Sequence, residues 1–179
     1  MDYILKKGKH RATPRKLKIY AFTKNFEWNV KFSKECWYDR NDVEFTGVNK
    51  LRGLTFGIHN ETPWGKWKLT KWLVNSALIG WQPDFNDTDK QNINLYLYYD
   101  INGVEHRNIF NVIKTEEVLN IKFSIRKDGV YVKIDNNEEY CIPTNTFLKF
   151  GYHLFPYFGG KSASPNDMLI SMNYTLAKD

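Results

Sequence analysis

The chain has 179 residues, 42 % hydrophobic and 16 % aromatic, with a formal net charge of +6. Its length fits one domain, its 12 Phe, 11 Tyr and 6 Trp favour pleated structure, and no run approaches the roughly eighteen consecutive apolar residues of a membrane helix. The charge is local: residues 1–18 hold Lys6, Lys7, Lys9, Arg11, Arg15, Lys16 and Lys18 against Asp2, which leaves 19 basic and 19 acidic side chains elsewhere. A neutral body offers no dense set of phosphate contacts, which argues against nucleic acid as a partner.

In chain order, residues 1–18 show little strand pattern and are expected to form a basic arm outside the core. On that reading Lys6, Lys7, Lys9, Arg11 and Arg15 are free for an assembly contact, and residues 19–179 form the folded domain. The first residues lack the apolar stretch of a secretory signal, so synthesis in a cytoplasm and free thiols at Cys36 and Cys141 are expected. Leu17 to Phe22 and Phe26 to Phe32 alternate with period two and predict two strands. Leu51 to Ile58 predicts a third, where Gly53 and Gly57 suggest a bulge or a close backbone approach. Ser76 to Trp81 is short and apolar, and Pro83 follows it.

Asn92 to Asp100 places Ile93, Leu95, Leu97 and Tyr99 on one face, with Asn94, Tyr96 and Tyr98 on the other. Asn102-Gly103 signals a tight hairpin turn, and Val104 to Val112 returns antiparallel. Val118 to Arg126, the turn Lys127-Asp128-Gly129 and Val130 to Ile134 form another hairpin. Glu138 to Ile142, Tyr152 to Phe158 and Met168 to Tyr174 bring the total to roughly eleven strands. The pattern predicts an all-β antiparallel sandwich of jelly-roll type. Trp81 and Tyr157 are expected in its core.

Two constellations point to a ligand surface. Trp64, Trp67 and Trp72 lie in a short lysine-bearing segment, and flat rings of this kind stack on the apolar faces of sugars. Asn94, Tyr96 and Tyr98 share one strand face, where amides and phenols can meet hydroxyls. Packing inside the core, or base stacking beside Lys66, Lys68 and Lys71, are the other uses of the tryptophans. The loop Asp84-Phe85-Asn86-Asp87-Thr88-Asp89 has oxygen ligands at alternating positions, but no glycine at its sixth position, so a solvated turn is expected rather than a calcium site. A glycosidase needs two carboxylates about the scissile bond, and no strand carries a Glu-x-Asp-x-Glu pattern. Asp42 and Glu44, two apart, would share a strand face, but the pair stands alone. His10, His59, His106 and His153 have no metal spacing, and neither a phosphate loop nor a nucleophile elbow occurs. No cofactor and no metal are therefore expected.

Asn75-Ser76-Ala77-Leu78-Ile79-Gly80-Trp81, Ile93 to Tyr99, and Tyr152-His153-Leu154-Phe155-Pro156-Tyr157-Phe158-Gly159-Gly160 with Ser164-Pro165-Asn166-Asp167-Met168 resemble jelly-roll proteins of Bacteroidota and their crAss-like phages. The strand pattern over residues 50–174 is similar to the concanavalin A-like lectin and glucanase superfamily. That resemblance implies two curved sheets and a sugar-binding face. With the carboxylate motif missing, the expectation is a non-enzymatic module that recognises glycan or neighbouring virion proteins, as a capsid decoration, fibre or tail-associated protein, and that can self-associate. A diverged glycan-cleaving enzyme, hydrolase or lyase, is the alternative.

Overall fold

The computed structural model describes residues 1–14, 19–21, 24–44, 47–55, 75–101, 104–143 and 150–175. Among these, twelve strands form two antiparallel sheets. They are β1 (Asp2–Leu5), β2 (Ile19–Ala21), β3 (Asn25–Phe32), β4 (Asn49–Thr55), β5 (Asn75–Pro83), β6 (Asn92–Ile101), β7 (Val104–Lys114), β8 (Val118–Arg126), β9 (Gly129–Ile134), β10 (Tyr140–Pro143), β11 (Phe150–Leu154) and β12 (Met168–Thr175). One sheet runs β1-β12-β3-β8-β9-β10 and the other β2-β11-β4-β5-β6-β7. The β4 to β7 run is a continuous meander. The chain then changes sheet into β8 and returns at β11, which gives the jelly-roll layering anticipated from the sequence.

Period-two alternation decides which side chains enter the core. In β3, Phe26, Trp28, Val30 and Phe32 are buried while their neighbours are half-buried. Leu119, Ile121 and Phe123 of β8 and Val130, Val132 and Ile134 of β9 meet them from the same sheet, and Ala77, Ile79, Trp81, Ile93, Leu95 and Leu97 face them from the other. Each fully buried side chain of this size contributes about 1.5–3 kcal/mol. Aromatic geometry fixes the layers: Trp28 meets Phe123 edge-on at 5.5 Å between ring centroids, and Trp81 lies 5.2 Å from Phe32.

The N-terminal residues do not form a separate arm. Asp2–Leu5 pair with Met168–Ser171 of β12, and Tyr3 and Leu5 are buried in the core. The chain then doubles back, so that Ile4 and Thr13 exchange backbone hydrogen bonds, and Ala12 and Phe158 tie the segment to the Tyr157 strip. The physical reason is alternation over only four residues, too short a signal to stand out beside the lysines. Of the residues assigned to assembly, Lys6 bonds Asp167 at 2.7 Å, Lys7 donates its backbone N–H to the same carboxylate, and Lys7, Lys9 and Arg11 are exposed. Arg15 lies outside the described residues.

Packing decides other expectations. Tyr157 is 36 % exposed and stacks on His10 at 5.6 Å rather than filling the core, a place taken by Phe158. The bulge in β4 falls between Lys50 and Arg52, and Gly53 marks a close approach instead: a Cβ there would lie 2.3 Å from that of Leu78. Gly57 lies outside the described residues. Cys36 is buried, Cys141 is half-buried, and both are free thiols. Burial pushes the Cys36 thiol up to about 12.

Candidate functional site

The face of the β4–β7 meander turned away from the core collects the polar and aromatic residues of the second sheet. Register places them in rows. Lys50, Gly80, Tyr96 and Ile109 are successive partners across the four strands, and Gly53, Leu78, Tyr98 and Arg107 form the next row. Thr55, Ser76, Asp100 and Glu105 form a third, while Gln82, Asn94 and Val112 continue the surface on the other side. Asn94, Tyr96 and Tyr98 therefore share the face their spacing predicts. Trp64, Trp67 and Trp72 lie outside the described residues.

The tyrosines are not the open ladder that alternation alone suggests. Tyr96 is only 9 % exposed and Tyr98 is half-buried. Cations reach over both rings: the Lys50 ammonium sits 4.9 Å from the Tyr98 ring centroid, and the Arg107 guanidinium 6.0 Å from that of Tyr96. Such contacts stabilise a cation by about 0.5–2 kcal/mol, more as water is excluded. The Tyr98 hydroxyl donates to Glu105 Oε2 at 2.6 Å. Gly80 lets this surface close up, since a Cβ there would strike the Val48 side chain at 2.5 Å.

Electrostatics follow from that packing. Burial lowers the Lys50 pKa, although its Nζ still donates to the Val48 carbonyl at 2.9 Å. Burial raises the Tyr96 pKa. Tyr98 is raised first by burial and then by its hydrogen bond to Glu105, so the phenol stays protonated. A partly desolvated lysine, an exposed arginine and two protonated phenols thus converge on one surface. Sequence reasoning missed Lys50 and Arg107, because each is one basic residue among 26 and only register sets them beside the tyrosines.

The outward positions of β5 are Ser76, Leu78, Gly80 and Gln82, so the central strand presents no carboxylate. Asp100 and Glu105, paired across β6 and β7, supply two at the end of the face. The acidic loop is a structural turn. Asp87 accepts backbone N–H groups from Gln91 at 2.8 Å and Asn92 at 2.6 Å, and the Asn92 bond is the first cause of its lowered pKa. Asp84 accepts that of Asn86 at 3.1 Å. Among the described residues, no three potential metal ligands come together.

No protein-family model and no curated protein matches the chain. Solved structures do match its fold. A glycoside hydrolase family 16 protein from a Bacteroides ovatus mixed-linkage glucan locus, bound to an oligosaccharide product, is 11 % identical, with 97 % of this chain and 80 % of that chain covered and a TM-score of 0.50. An alginate lyase, A1-II′, is 10 % identical over 89 % of this chain and 65 % of that one, at a TM-score of 0.49. A β-glucanase of Bacillus licheniformis is 12 % identical over 91 % and 67 %, at 0.44.

The fold is accordingly that of a concanavalin A-like jelly-roll sandwich. The expectation of a non-enzymatic module is corrected at the same point, because the Bacteroides ovatus protein that shares this fold is a glycoside hydrolase. A missing Glu-x-Asp-x-Glu pattern removes one route to cleavage and leaves routes that use other side chains.

Proposed function

We propose that the protein cleaves an acidic polysaccharide laid across the outer face of β4–β7. The observation that carries this reading is the convergence of Lys50 and Arg107 on Tyr96 and Tyr98, on a surface whose central strand bears no carboxylate. Phenol rings stack on sugar faces, Asn94 and Gln82 meet hydroxyls, and Arg107 has the planar fork that matches a uronate carboxylate.

This donor set suits β-elimination. Neutralising the carboxylate at Arg107 acidifies the adjacent ring C–H. Lys50, whose lowered pKa leaves more amine at working pH, takes that proton. The C–H electrons form the new double bond as the bond to the glycosidic oxygen breaks. The ammonium now on Lys50 returns the proton to the departing oxygen, so the step needs no water and no further reactant.

A second reading rests on Asp100 and Glu105. Directly opposed residues on neighbouring strands have Cβ atoms about 4.5–5.5 Å apart, close enough for a carboxylate pair to act by hydrolysis. The test covers both. The protein is incubated with panels of uronate-containing and neutral polysaccharides, and both new reducing ends and the ultraviolet absorbance of unsaturated uronate are read. Both signals together support elimination, and reducing ends alone support hydrolysis at the carboxylate pair. No new ends from any polymer would refute glycan cleavage. The virion reading rests on the sequence resemblance alone.

A further inference from the structure

Arg52 stands on β4 among buried neighbours, and its side chain enters the interior. The irregularity between Lys50 and Arg52 shifts the register by one, so Leu51 and Arg52 both turn inward and Arg52 pairs with Ile79. Bulges re-aim side chains in this way. The result is a guanidinium only 2 % exposed. It lies 5.3 Å from the Trp28 ring centroid and 5.0 Å from that of Phe155.

Among the described residues, no carboxylate compensates this charge. The Tyr3 hydroxyl is its hydrogen-bonding neighbour, Tyr174 is the other polar group that acts on it, and Nε and Nη1 meet no acceptor among the described residues. A buried cation without a counter-charge is strongly unfavourable. Beside it is a cavity of about 120 Å³, lined by Arg52 with Met1, Tyr3, Trp28, Met172, Asn173 and Tyr174, and the Met1 ammonium there already donates to the Met172 carbonyl and to Asn173 Oδ1. Nothing in that lining is acidic. The cavity is lined from β3, β4, β12 and the start of the chain, opens beside the exposed Met1 and Tyr174, and lies away from the outer face of β4–β7.

We propose that this cavity is a binding site for one small oxyanion, of carboxylate or sulfate size, with Arg52 as its cation and the Tyr3 and Tyr174 hydroxyls beside it. The anion supplies the missing counter-charge, and so couples the strand β1 to the core through Tyr3. The site stands or falls independently of the glycan-cleaving reading.

The test uses the full chain with its arginine side chains labelled by ¹⁵N. Sodium sulfate and sodium acetate are titrated against sodium chloride at matched ionic strength, and the Arg52 Nε–H resonance is followed. The proposal expects a saturable shift at Arg52 with an oxyanion, together with a rise of several degrees in Tm that levels off over the same range. Arg52→Met keeps the side-chain bulk, removes the charge and should abolish the saturable rise. Any remaining effect of sulfate should be the unsaturating one of surface exclusion. If that variant does not fold, the titration of the unaltered protein still decides. An Arg52 resonance unmoved by either oxyanion, or moved equally by chloride, would overturn the proposal.

Discussion

Leu5→Ala tests whether the basic N-terminal residues belong to the sandwich. Leu5 is fully buried on an edge strand, and its neighbour Tyr3 is 3 % exposed. Truncating a buried leucine costs about 2–5 kcal/mol, least where the surroundings collapse into the space. An edge strand held on one side relaxes more easily than a central one, so a loss of about 3 kcal/mol is expected. For a chain of this size each kcal/mol moves the Tm by about 2–4 °C, which gives a fall of about 6–12 °C. The control is Lys6→Ala, whose pair with Asp167 is 61 % and 56 % exposed. A bridge so open to water contributes little to stability. Thermal and urea melts of the two variants beside the parent make the comparison. If Leu5→Ala melts with the parent, β1 contributes nothing to the core and the correction of the arm is mistaken.

Other outcomes follow from the same geometry. Lys50→Met should abolish cleavage of uronate polymers while leaving the fold intact by circular dichroism, and the parent's kcat/KM should rise with pH through the lowered lysine pKa as the amine form grows. A rate that falls over that range would make Lys50 a binding cation and not the base. Gly53→Ala places a methyl against the Ala77 carbonyl at 2.2 Å and should cost on the order of 3 kcal/mol in urea unfolding. Its melting at the parent's midpoint would contradict the close approach of β4 and β5. Cys36, held neutral by burial, should resist alkylation at mildly alkaline pH until the protein unfolds. Since its thiol ionises near 9.0 when exposed and at about 12 when folded, its contribution to stability is full below pH 9.0 and is lost as pH rises between those values. Equal stability of the parent and Cys36→Ala trends across that window would remove the thiol as the cause.

The strands of the meander were legible because alternation is local. Ile93, Leu95 and Leu97 declare one face and Asn94, Tyr96 and Tyr98 the other, and no long-range contact is needed to read them. The hairpin at Lys127-Asp128 was legible for the same reason, since turn chemistry sits within a few residues. What the sequence could not supply is everything set by register between distant segments. β1 is four residues that become a strand only because β12, more than 160 positions later, offers an edge. Lys50 and Arg107 look like ordinary surface bases until pairing through β5 and β6 lays them over Tyr98 and Tyr96. Arg52 is one more basic residue along the chain, and a single shift of register in β4 sets it on the inward side with Leu51. Period and turn residues are properties of neighbours along the chain, whereas a site belongs to neighbours across strands, and only the folded sheet determines which those are.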